Sequence, residues 1–145
     1  MTIAERLFEI YDEITIESPC KLRGQEGIDY FERQFMNGNV ITYIQDGELL
    51  GFLEFWKISY EQWGRICCYI TLAHNEDLLS GNICLIANMW IKPDLRNWDT
   101  FLLLGRTFLE KNKDATHFAA QQFRKAHKPF QIYTREEVLK HYKIS

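Results

Sequence analysis

Glu54 stands inside "FLEFW", and strand alternation puts it on one face with Phe52 and Trp56. A carboxylate among aromatic rings is a candidate proton acceptor, because loss of water raises a carboxylate's pKa toward neutrality. A solvated strand face is the competing reading. His74 lies in the polar stretch "AHNED". Its imidazole serves as a base if that loop borders a cleft, and is otherwise an ordinary surface group. A third stretch, "ANMWIKPDLRNWDTFLLLGRTFLEK", runs from Ala87 to Lys111. It reads as a strand ending at Lys92-Pro93, a short polar loop, and a helix from about Trp98, with Asp99 or Thr100 as its cap. Free N–H groups at a helix start attract anions, so this is the frame of a phosphate-binding loop. Such loops are normally rich in glycine, and none occurs between Asp94 and Leu104.

Other chemistries find less support. No pair among the four cysteines has zinc-ligand spacing or belongs to a disulfide framework, so no metal site is expected and the thiols read as small core residues. No Ser-His-Asp set or Walker loop is present. From Lys111 to Ser145 there are eight Lys/Arg against three Asp/Glu, so that end is basic. Within it Arg124, Lys125, His127 and Lys128 lie between Phe123 and Phe130, an interleaving that suits single-stranded nucleic acid or another phosphate. A solvated basic surface is the plainer reading.

The elements that must position these residues follow from periodicity. An apolar share of 46% in 145 residues excludes a disordered chain and points to one domain, 1–145. No apolar run approaches the ~20 residues that cross a bilayer. The charged N-terminus lacks a signal-peptide core, so a cytoplasmic protein with no membrane partner is expected. Ala4, Leu7, Phe8, Tyr11 and Ile14 mark a first amphipathic helix, and Ile28, Phe31 and Phe35 a second, ended by Asn37-Gly38. "NVITYIQDGELLGFLEFWKIS" is a hairpin turning at Asp46-Gly47, and "RICCYITLA" reads as a third strand. "NICLIANMWIK" is a strand buried on both faces. After the helix come the strands "THFAAQQFRK" and "FQIYT", and a terminal helix opened by the capping box Thr134 to Glu137. The fold class is α/β (α+β), one layered domain.

In this order of elements the chain resembles the GNAT superfamily of acyl-CoA-dependent N-acyltransferases. "GELLGFLEF" is similar to that family's second hairpin strand. In "MWIKPDLRNWD", Ile91, Pro93 and Arg96 take the places of its V-x-P-x-x-R pattern. The resemblance implies a mixed, mostly antiparallel central sheet flanked by helices, with the strand after the central one splayed away from it. It implies that the backbone of Met89, Trp90 and Ile91 pairs with the pantetheine arm of acetyl-CoA or another acyl-CoA, with Arg96, Asn97 and Trp98 in the phosphate loop. The family's two small loop positions are here Asp99 and Phe101, which leaves the loop degenerate. The resemblance further implies an acid at Tyr133, and at Asn88 a substrate-binding or water-holding amide where many members carry a carboxylate. A buried Asn bonded to backbone, and a core tyrosine, are the plainer readings of those two.

The expected activity is direct transfer of an acyl group from a thioester to an amine, either a small molecule or a protein lysine or N-terminus. The toxin-activating lysine acyltransferases, a GNAT-related group of similarly short chains, take their acyl group from acyl carrier protein. A carrier-protein donor is therefore a second expectation, and a homodimer is among the expected assemblies. Two alternatives stay open: a GNAT-shaped binding protein without catalysis, and a nucleic-acid binder using the basic end.

Overall fold

Thr2 opens the first helix as a reciprocal cap. Its hydroxyl accepts from Glu5 N at 3.1 Å, while the Glu5 carboxylate accepts from Thr2 N at 3.3 Å. Helix α1 (Ile3–Ile14) follows, then α2 (Gly24–Met36), β1 (Val40–Gln45), β2 (Glu48–Ile58), α3 (Tyr60–Cys68) and β3 (Ile83–Ile91). A 3-10 turn at Pro93–Leu95 leads to α4 (Trp98–Lys111), β4 (His117–Ala120), β5 (Gln131–Thr134) and α5 (Arg135–His141). This computed structural model describes residues 1–15, 17, 19, 21–68, 81–120 and 131–142.

The strands form one mixed sheet in the order β1-β2-β3-β4-β5. β1 and β2 are antiparallel, as are β4 and β5, whereas β3 and β4 run parallel. The hairpin turns as its sequence predicts: Asp46 and Gly47 have φ of 52° and 77°, the left-handed pair that a two-residue turn requires. Its register sets Val40 opposite Glu54.

The chain divides into two compact units, Met1–Glu54 with Asn88–Leu104, and Phe55–Ala87 with Gly105–Ser145. In the first, Leu7, Ile10, Phe31 and Phe52 are fully buried, and Tyr11 meets Phe31 edge-on at 5.5 Å. In the second, the Phe108 ring lies 5.1 Å from Phe55 and 5.4 Å from Phe118. Each ring pair adds about 0.5–1.5 kcal/mol beyond its area burial.

Several expectations need correction. The strand expected at "RICCYITLA" is, as far as Cys68, the end of α3; Tyr69 to Ala73 lie outside the described residues. Its cause is local: Ser59 Oγ accepts from Gln62 N at 3.2 Å and Gln62 Oε1 accepts from Ser59 N at 3.0 Å, a capping box that overrides the β-branched composition. The buried face of α2 is Gly27, Tyr30, Phe31 and Gln34, while Phe35 is 43% exposed. β3 is buried from Ile83 to Leu85 but only half-buried from Ile86 to Trp90. Its ladder with β4 runs from Ile83↔His117 to Ile86↔Ala120. Residues 121–130, where the splay was expected, lie outside the described residues, as does the Arg124–Lys128 cluster.

Candidate functional site

Glu54 is the innermost charged residue of the first unit, with no exposure to solvent. A carboxylate in that position needs donors, since each unmet polar group costs about 1–3 kcal/mol. Tyr30 Oη donates to Oε2 at 2.5 Å and Gln34 Nε2 to the same oxygen at 2.8 Å. Asn88 Nδ2 donates to Oε1 at 2.7 Å. Tyr30 and Gln34 are four residues apart, so they share one face of α2. Asn39, just before β1, donates from Nδ2 to Gln34 Oε1 at 3.1 Å, which turns the Gln34 NH2 toward Glu54. The Glu54 charge also reaches Tyr11, whose phenol is pushed up in pKa, first by burial and, less strongly, by that carboxylate.

Two candidates, Glu54 and Asn88, are therefore joined by one hydrogen bond although they are 34 residues apart. Tyr30, Gln34 and Asn39 were not legible as members of the site. The i, i+4 spacing of Tyr30 and Gln34 was the available signal, and the apolar pattern of Ile28, Phe31 and Phe35 obscured it. Tyr133 belongs to the second unit, is 43% exposed on β5, and donates its hydroxyl to Gln131 Oε1. His74 lies outside the described residues.

The residues expected to hold a thioester cofactor occupy the end of β3 and the start of α4. Met89 and Trp90 are half-buried, and the Trp90 ring lies 6.4 Å from Phe52 with the Arg6 guanidinium 5.9 Å from its centre. A Cβ at Gly51 would come within 3.2 Å of Trp90 O, so β2 and β3 approach closely there. Ile91 O accepts from Arg96 Nε at 2.7 Å, and Lys92 N donates to Leu50 O at 2.8 Å. Asn97, rather than Asp99 or Thr100, caps α4: its Oδ1 accepts from Thr100 N at 2.9 Å and from Thr100 Oγ1 at 3.2 Å. The cap's partner stands three residues on, as N-cap geometry demands. Trp98 is 58% exposed and stacks on Phe101 at 5.4 Å.

Met89 and Trp90 are half-buried residues near the end of β3, the segment whose backbone would meet an extended pantetheine arm if one binds. The loop fits a pyrophosphate less well, because the Arg96 and Asn97 side chains are engaged by the chain's own backbone. Among the described residues no group of three or more His, Cys, Asp or Glu could hold a metal ion, and no helix is long and apolar enough to cross a membrane.

Neither a family model nor a curated protein sequence matches the chain. Solved structures do. The GNAT-like decarboxylase GphF, in complex with isobutyryl-CoA, is similar at 16% identity and a TM-score of 0.58, over 81% of this chain and 60% of that one. The loading GNATL domain of CurA from Lyngbya majuscula is similar at 16% identity and a TM-score of 0.50, over 81% of this chain and 57% of that one. A ribosomal-protein-alanine N-acetyltransferase from Brucella melitensis biovar Abortus 2308 is similar at 13% identity and a TM-score of 0.48, over 83% of this chain and 73% of that one. The chain thus spans about 60% of the length of the first of these structures. With its element order, its mixed sheet and the backbone similarity to GphF and to the CurA domain taken together, the chain has the GNAT fold.

Proposed function

We propose that this protein transfers an acyl group from a pantetheine thioester, carried on coenzyme A or on acyl carrier protein, to an amine. The observation that carries the reading is the Glu54–Asn88 hydrogen bond beside the half-buried Met89–Trp90 segment of a GNAT-fold strand. It puts an organised polar cluster next to the backbone that suits a thioester carrier. GphF, whose structure holds isobutyryl-CoA, lends support to a donor of this kind.

In the reaction the amine, having lost a proton to solvent, attacks the thioester carbonyl carbon. The C–N bond forms, the C–S bond breaks, and the thiolate leaves to be protonated to a free thiol. The net products are an amide, a thiol and, from an ammonium substrate, one proton. Glu54 is too deeply buried to touch the amine, so its part is electrostatic and positional rather than direct proton abstraction.

The test is a thermal-shift titration with acetyl-CoA, isobutyryl-CoA and acylated carrier protein, followed by thiol release on adding an amine. A saturable rise is expected, worth about 2.7 kcal/mol at a donor concentration 100 times Kd. No shift with any of the three donors overturns the reading. One observation favours a second reading, a GNAT-shaped binding protein without catalysis: the helix start that would hold pyrophosphate is capped by Asn97. Donor binding without thiol release would support it.

A further inference from the structure

Helix α2 turns Tyr30, Phe31 and Gln34 inward, yet it also carries large apolar side chains that the protein's own core does not use. Phe35 is 43% and Met36 79% exposed. Ile28, Glu32 and Phe35, four and three residues apart, share one outer face. With Ile3 and Glu5 of the first turn of α1 they line an open groove of about 610 Å³, wholly within the first unit. Sites that take a ligand have volumes of roughly 300–1,000 Å³.

The charge along this groove has one sign. Among the described residues no Lys or Arg lines it, and neither Glu5 nor Glu32 is ion-paired. Residues 1–36 hold eight Asp/Glu against four Lys/Arg, and Arg6, Lys21 and Arg23 are already paired with Glu9, Asp12 and Glu17. A two-fold contact sets a patch against itself, so a second copy would bring like charges together here. A cation is the complement. The walls select its backbone as well. Both are helices whose main-chain groups bond internally, so an extended strand would find no partners for its own N–H and C=O groups. A helix brings none that need them, and Gln25 to Met36 gives it a track of about 16 Å, three turns.

We propose that this groove docks a basic amphipathic helix of a partner protein. Its apolar stripe lies on Ile3, Ile28, Phe35 and Met36, and its Lys or Arg side chains reach Glu5 and Glu32. The inference goes beyond acyl transfer and does not depend on it, since no groove residue belongs to the Glu54 cluster or to the Met89–Trp90 segment.

The probe is a fluorescein-labelled Leu/Lys peptide of about 14 residues, roughly four helical turns, titrated with the full chain and read by anisotropy. A Leu/Glu peptide of the same apolar pattern is the control. The Leu/Lys peptide is expected to bind saturably and the control not to bind. Phe35→Ser and Glu32→Lys should each weaken binding about tenfold, whereas Glu13→Lys, the same change of net charge at an exposed position of α1 outside the groove, should leave it unchanged. Met36→Ser, at the more exposed position, gives a similar loss and keeps the test open if Phe35→Ser does not fold. Equal losses in Glu32→Lys and Glu13→Lys mean attraction to overall charge and overturn the proposal. So does equal binding of the two peptides. Two further results assign the groove to another occupant and overturn it as well: n-decylamine displacing the peptide at equal concentration, or a dimer in sedimentation that Phe35→Ser abolishes.

Discussion

Glu54 and Cys84 are both ionisable strand residues sealed from solvent, at 0% and 1% exposure, and their surroundings differ in kind. Glu54 has donors brought to it from α2 and β3. Cys84, in the second unit, has its thiol pushed up to about 12, first by burial, with Asp114 adding to the rise and Lys57 and Arg135 opposing it. At pH 7 a thiol of that kind is thiolate in only about one molecule in 10⁵, so Cys84 is no nucleophile there. Burial alone thus produces an inert group. Burial with several aimed donors produces a fixed one, and a fixed group is what recognition chemistry uses.

The strongest way to break this contrast is to delete the carboxylate. Glu54→Ala leaves the donors of Tyr30, Gln34 and Asn88 facing a cavity, and a loss of about 3–5 kcal/mol in urea unfolding is expected. A loss below about 1 kcal/mol would mean that solvent satisfies these groups, and Glu54 would then be no more organised than Cys84.

Alkaline titration tests the other side. The raised Cys84 pKa means that the folded protein holds a proton which the unfolded chain releases above about pH 9. Stability is therefore unaffected below pH 9, falls as pH climbs toward 12, and is lower by about 2–3 kcal/mol near pH 11. Tyr11, raised in the same direction, adds to the slope at higher pH. The difference between the parent and Cys84→Ala isolates the thiol, and parallel pH profiles for the two would show that it is not desolvated.

A smaller effect separates the carboxylate from its donors. Tyr30→Phe removes one hydrogen bond to a charged group and should cost about 1.5–3 kcal/mol in urea unfolding. If it costs nothing, Gln34 and Asn88 suffice and the 2.5 Å contact is incidental.

How much of this was readable in the sequence depends on range. The Asp46-Gly47 turn and the Thr134 capping box are contained within a few residues, and both stand as read. The fold was legible because "MWIKPDLRNWD" sets a strand, a proline and a helix start in fixed order. α3 was misread although Ser59 and Gln62 carry a local cap, because the run Ile66 to Ala73 has strand composition. Glu54 and Asn88 were each visible, but their bond spans 34 residues and needs β2 and β3 side by side. Tyr30 and Gln34 were hidden by a helix that turns a polar pair, instead of Phe35, toward its own core. Periodicity reports that a face is buried, and is poor at reporting which polar residues that face has been given to satisfy.

The start of α4 lies between the two extremes, because there the acceptor rather than the donor is supplied from within the chain. Asn97 Oδ1 meets the N–H of Thr100, whose residue is buried. Asn97→Ala removes that acceptor and should lower stability by about 1 kcal/mol, whereas Asn97→Gly should cost only a few tenths. Both variants free the Thr100 N–H. If a donor's phosphate uses this helix start, coenzyme A will bind the glycine variant more tightly than the parent, since the carboxamide no longer competes for that N–H. Equal affinity in both would leave the proposed donor-binding backbone at Met89 and Trp90 as the main grip on the donor, and would favour a carrier-protein thioester over a free coenzyme.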